Sequence, residues 1–182
     1  ATVTHESPKV SVIKRYAVCT CGGHASRIKM SLVTPLEKNM LSCSNEDATV
    51  SLWDLNQRVE VGRLVGHDDA VIGGGVSADS RLVATTSRDA TLIVWDLSTQ
   101  KIILSLTHPK VVVCCCFSPD SQLVVSGCQD QICRVWDLRT SKEIWNFAEH
   151  RGIVMTVAFA PNASFIASGG SDKKVFVWSL QT

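Results

Sequence analysis

Histidine and aspartate are the residues of this 182-residue chain whose spacing could support chemistry. His24, His67, His108 and His150 stand 29, 28, 28 and 28 residues before Trp53, Trp95, Trp136 and Trp178. Asp47, Asp89, Asp130 and Asp172 each stand six residues before the same tryptophans. With a serine or threonine nearby, each pair has the makings of a hydrolytic triad, in which a carboxylate orients an imidazole that activates a hydroxyl. A triad, however, occurs once, in a cleft beside an oxyanion hole. A set present four times, in register with a tryptophan, is expected to be structural, and no catalytic residue is assigned.

Metal chemistry has one candidate. Cys19-Thr20-Cys21 and His24 put three potential ligands within six residues, with Cys43 as a fourth. Zinc sites usually space their cysteines by two residues or more, so these thiols are expected to alternate across a strand, with no metal and no cofactor. Gly73-Gly74-Gly75 does not open a helix and so lacks the context of a phosphate-binding loop; a bulge or close backbone approach in an innermost strand is expected.

The elements that position these residues follow from the repeat. The tryptophans are spaced 42, 41 and 42 residues apart. In the second period, residues 70–76, 82–85, 91–95 and 102–106 have the composition of short strands, and 77–80 and 87–90 that of tight turns. No useful length of helical periodicity is present. Four short strands per period of this length match a propeller blade.

Composition narrows the class further. Lys+Arg number 18 and Asp+Glu 17, a net charge of +1, which disfavours dedicated binding to nucleic acid or an anionic membrane. The longest apolar run, 111–117, falls far short of the roughly 20 residues of a membrane helix. No signal peptide is expected at the N-terminus. The eight cysteines include Cys114-Cys115-Cys116 within an apolar strand and read as buried small hydrophobes of a reducing compartment, cytoplasmic or nuclear.

Gly23-His24, Gly66-His67, the Trp-Asp pairs at Trp53, Trp95 and Trp136 and the registered turn aspartates resemble the WD-repeat (β-transducin-like) propeller family over about residues 15 to 180. Thr107 and Glu149 replace the glycine before histidine, and Ser179 replaces the last aspartate. The resemblance implies an all-β fold, a β-propeller of four-stranded antiparallel blades. A tail, 1–14, would precede a propeller region, 15–182, with repeat units near 15–57, 58–99, 100–141 and 142–182. It implies a hydrogen-bonded tetrad in each blade: His67, Thr85, Asp89 and Trp95; His108, Ser126, Asp130 and Trp136; His150, Ser168, Asp172 and Trp178. The first blade would use His24, Asp47 and Trp53, with Ser42 or Cys43 as the third member. Rings of this family usually hold about seven blades, so four blades are expected to be part of a larger ring. A leading strand near residues 15–20 could complete the last blade; pairing of two arcs or capping by a partner chain would also cover the open ends.

The implied function is a non-catalytic protein-interaction scaffold, a subunit or adaptor of a multiprotein complex that binds proteins or peptides. Its binding face would carry Ser26, Asp69, Lys110 and Gly152 from the loops after histidine. Glu46, Arg88, Gln129 and Ser171 would come from the turns before aspartate. The alternative is an RNA-associated assembly component of ribosome biogenesis or RNA processing, suggested by Lys9, Lys14, Arg15, Arg27 and Lys29. Trp145, outside the register, is expected between blades, or else exposed as a partner anchor.

Overall fold

A computed structural model describes residues 23–24, 26–36, 38–44 and 46–180. The expected tail, the leading strand, Cys19 and Cys21 lie outside the described residues. Fifteen strands form four antiparallel sheets, and no helix occurs among the described residues. The first sheet contains β1 (Ile28–Val33), β2 (Asn39–Ser44), β3 (Thr49–Asp54) and β4 (Val59–Val65). The second contains β5 (Val71–Val76), β6 (Leu82–Ser87), β7 (Thr91–Asp96) and β8 (Lys101–Thr107). The third contains β9 (Val112–Phe117), β10 (Leu123–Cys128), β11 (Cys133–Asp137) and β12 (Lys142–Phe147). The fourth has three strands, β13 (Val154–Phe159), β14 (Phe165–Gly170) and β15 (Val175–Ser179). Strands pair in sequence order within every sheet. The blades stack by their innermost strands, β1 beside β5, β5 beside β9 and β9 beside β13, in an arc that does not close into a ring.

Short hairpins turn the chain in a repeated way. Ser80, Ser121 and Ala163 follow the first strand of their blades at φ 59°, 59° and 57°, and Ala90, Gln131 and Lys173 follow the second at 66°, 76° and 65°. A left-handed residue at the same place in each turn matches the twist of the strands it joins. The turn carboxylates do related work: Asp54, Asp96 and Asp137, each just after its tryptophan, accept two backbone N–H groups from the next turn.

The core lies between blades rather than within them. Leu41, Cys43, Val50 and Leu52 of the first blade pack on Val71, Val83, Ile93 and Trp95 of the second. The cysteine triplet splits between two interfaces because consecutive strand residues face opposite ways. Cys115 packs toward the second blade, while Cys114 and Cys116 pack toward the fourth. Burial pushes the Cys114 thiol up to about 12 and that of Cys116 to about 11, which leaves both as packing groups rather than nucleophiles. The glycine run allows close backbone approach, of β5 to the next inner strand β9 at Gly73 and of β5 to its own partner β6 at Gly74. A Cβ on Gly73 would stand 2.6 Å from the Val113 carbonyl oxygen, and one on Gly74 2.7 Å from that of Ala84. Trp145, on outer strand β12, is 37% exposed rather than buried between blades.

Candidate functional site

Each registered histidine sits in the segment that enters a blade and reaches forward into it. His67, after β4, lies 2.8 Å from Asp89 through Nδ1 and 2.8 Å from the Thr85 hydroxyl through Nε2; Trp95 Nε1 donates to that hydroxyl at 2.8 Å. His24 does the same with Asp47 and Ser42 at 2.7 Å each, and Trp53 donates to Ser42 at 2.8 Å. His150 contacts Asp172 at 3.0 Å and Ser168 at 2.9 Å, with Trp178 donating to Ser168 at 2.9 Å. A neutral imidazole satisfies every member of this chain: indole N–H to hydroxyl, hydroxyl to Nε2, Nδ1–H to carboxylate. In the first blade the hydroxyl belongs to Ser42. Cys43 points the other way and donates its thiol to the Val71 carbonyl.

The third blade departs from the expected set. His108 Nε2 contacts Ser126 at 2.8 Å and Trp136 donates to Ser126 at 3.1 Å, but His108 Nδ1 contacts the Leu106 carbonyl at 3.1 Å instead of Asp130. Asp130 is held by both terminal nitrogens of Arg134, at 3.1 and 2.7 Å, and Arg134 also reaches Glu143 at 3.2 Å. The physical reason is charge. A buried guanidinium needs a bidentate anion more than a neutral imidazole needs a carboxylate, and a backbone carbonyl can take the imidazole N–H instead. The sequence signal was available: the position two before tryptophan is Ser51, Ile93 and Phe176 in the other blades.

The carboxylates reflect these partners. The hydrogen bond from His24 holds Asp47 below the usual carboxylate range. Burial pushes Asp89 up, but hydrogen bonds from Thr91, the Asp68 amide and His67 more than offset it. Asp172 falls to about 2, chiefly through the Arg151 amide.

The loops after histidine and the turns before aspartate meet at one end of the blades. There, in the second, third and fourth blades, the turn before aspartate is tied to the loop after histidine by a backbone bond: Arg88 N to Ala70 O at 3.0 Å, Gln129 N to Val111 O at 2.9 Å and Ser171 N to Ile153 O at 2.9 Å. Glu46, Asp69, Arg88, Lys110, Gln129 and Ser171 are exposed, whereas Ser26 and Gly152 are half-buried. Ser26 donates to Ser44 at 3.0 Å, and a Cβ on Gly152 would stand 2.8 Å from the Asp172 amide nitrogen. No group of three metal-ligating side chains occurs among the described residues.

Four antiparallel sheets with one hydrogen-bonded motif per repeat define a propeller of repeated blades. The family model "WD domain, G-beta repeat" matches residues 58–96, 100–137 and 141–179, and the chain belongs to this family. It is similar to a coronin-like protein of Saccharomyces cerevisiae, 36% identical over 84 residues that make up 44% of this chain and 12% of that protein. Coronin-7 of Bos taurus is 35% identical over 74 residues, 41% of this chain and 8% of the relative. A guanine nucleotide-binding protein subunit beta-like protein of Encephalitozoon cuniculi is 29% identical over 100 residues, 50% of this chain and 30% of the relative. The matches thus span a minor part of each relative's length.

Proposed function

We propose that the chain is a non-catalytic scaffold that binds proteins or peptides through the end of the blades carrying Glu46, Asp69, Arg88, Lys110 and Gln129, as part of a multiprotein complex. The observation that carries this reading is the paired arrangement of loop and turn in successive blades, which holds exposed side chains on a rigid frame while the buried polar groups are spent on one another. Both signs of charge occur among these side chains, which favours a protein partner over a polyanion. The coronin and G-beta-like relatives share the repeat family, which supports the scaffold class.

The test is affinity capture from cell extract with wild type, Arg88→Glu, Glu46→Lys and Lys142→Glu. Partners should be lost with the first two variants and retained with Lys142→Glu, which lies on outer strand β12. Loss with Lys142→Glu alone would move the binding surface to the rim.

A further inference from the structure

All four innermost strands carry a β-bulge at their second residue. Ile28 and Met30 pair with Ser44 and Cys43, which leaves Lys29 as the extra residue. Val71 and Gly73 pair with Ser87 and Thr86, so Ile72 is extra. Val113 is extra between Val112 and Cys114, opposite Cys128 and Gly127, and Met155 between Val154 and Thr156, opposite Gly170 and Gly169. A bulge bends the strand and re-aims the side chain it inserts. These four side chains, with Arg88 from the β6–β7 turn, line one cavity of about 360 Å³ at the end of the blades that carries the paired loops. The bulges gather into one place residues that the repeat places in four separate blades.

The chemistry of this cavity is asymmetric. Lys29 and Arg88 are exposed, and neither has an ion-pair partner among the described residues. Ile72, Val113 and Met155 supply an apolar wall, and no carboxylate or aromatic ring lines it among the described residues. Behind that wall, beside Gly73, Thr86 Oγ1 is buried without a hydrogen-bond partner. The cavity at the opposite end of the same strands, about 300 Å³, is lined by Val76, Cys116, Phe117, Val157 and their neighbours and bears no charge.

We propose that the Lys29–Arg88 cavity binds an acidic side chain of a partner peptide, a Glu or Asp flanked by aliphatic residues. This rests on the scaffold reading and names the anchor that its face selects. Two cations from different blades match a carboxylate, and Arg88 can grip it with two parallel N–H groups. The apolar wall matches the aliphatic stem and its neighbours. The lack of an aromatic platform disfavours single-stranded nucleic acid.

The experiment is an array of acetylated nonapeptides with Glu, Gln, phosphoserine or Leu at the centre, between varied aliphatic and polar neighbours, probed with the 182-residue chain. Glu spots with aliphatic neighbours should be retained about tenfold better than their Gln counterparts, on the order of a single charge-assisted contact. Lys29→Gln and Arg88→Gln should each abolish that preference without lowering the thermal midpoint, since neither side chain forms an ion pair among the described residues. Equal binding of Glu and Gln spots, preference for phosphoserine, or no retention on any spot would overturn the proposal. If cellular partners are lost with Glu46→Lys but kept with Lys29→Gln, the cavity is wrong and the scaffold face stands.

Discussion

Asp130, in the β10–β11 turn, and Arg134, on β11, are joined by two nitrogen–oxygen contacts of 3.1 and 2.7 Å, both side chains being about nine-tenths buried. This pair takes the place of the imidazole–carboxylate contact found in the other three blades. Asp130→Ala should therefore strand Arg134, with Glu143 as its remaining partner, at a cost of roughly 2–4 kcal/mol in urea unfolding. Adding Arg134→Leu should recover part of that loss, and at pH 7, where His108 is uncharged, a cycle between His108 and Asp130 should show no coupling. In the second blade, Asp89→Ala should cost on the order of 1–3 kcal/mol by leaving His67 Nδ1–H unpaired. Arg88→Ala and Gln129→Ala should stay within about 0.5 kcal/mol. Coupling of His108 to Asp130 would contradict the observed pairing.

Acid should act on the third blade first. Burial lowers His108 to about 4 from an ordinary 6.5, opposed by the Leu106 carbonyl and by Asp130 and Glu143, and reinforced by Arg134. The unfolded chain therefore takes up a proton that the folded chain refuses, so stability is full above about pH 6.5 and falls as pH drops toward 4. The shift corresponds to roughly 3 kcal/mol. Asp172, at about 2 instead of 3.8, contributes stability that is present above about pH 4 and lost as pH falls through 2. Urea midpoints from pH 7 to 4 should flatten in His108→Gln; an unchanged slope would show that this imidazole is not the sensor.

The glycine run tests close backbone approach, between β5 and β9 at Gly73 and Gly75 and between β5 and β6 at Gly74. Gly73→Ala and Gly74→Ala place a methyl within 2.6 and 2.7 Å of carbonyl oxygens, whereas Gly75→Ala meets the Cys115 oxygen at 3.4 Å. The first two should cost about 1–3 kcal/mol and the third clearly less. A reversed ranking of thermal midpoints would refute this packing.

Exposure on the last blade predicts self-association. Val175 and Val177 are 73% and 66% exposed, while the residues in the same places on the other blades, Val50, Leu52, Leu92, Val94, Cys133 and Val135, are at most 3% exposed. Apolar surface that is an interface elsewhere in the molecule should seek a neighbour. Sedimentation equilibrium at micromolar concentration should show oligomers of the chain, and Val175→Lys with Val177→Lys should return it to monomer. A monomeric wild type would refute the prediction.

The repeat was legible in the sequence because its signals are polar and local. A histidine, a turn aspartate and a tryptophan in fixed register mark the blade, and their partners are a few strands away. Arg134 was legible only as a residue type out of place, since nothing in the spacing of Asp130 tells which cation or imidazole will reach it. The choice between Ser42 and Cys43 turned on the first turn, where serine stands eleven residues before its tryptophan and the second and third blades use ten. The cavity was not legible at all. Lys29, Ile72, Val113 and Met155 share no residue type, and a bulge is a property of pairing between strands rather than of either strand alone.

His67, His108 and His150 each close a blade from the connection that leaves the preceding one, and the outer strand of that preceding sheet comes just before each of them in the chain. Sequence period and sheet are therefore out of step by one strand. Tandem duplication of one 41- or 42-residue period would bring in an outer strand for the blade before it, a latch, and three strands that await the next period. Length can grow in whole units without a redesigned joint, whereas deletion cut at sheet boundaries would strip a latch from the neighbour that remains. The same offset makes loosening contagious: hydrogen exchange in one blade should rise when the connection before it is cut, because the bond that holds it shut is anchored in that connection.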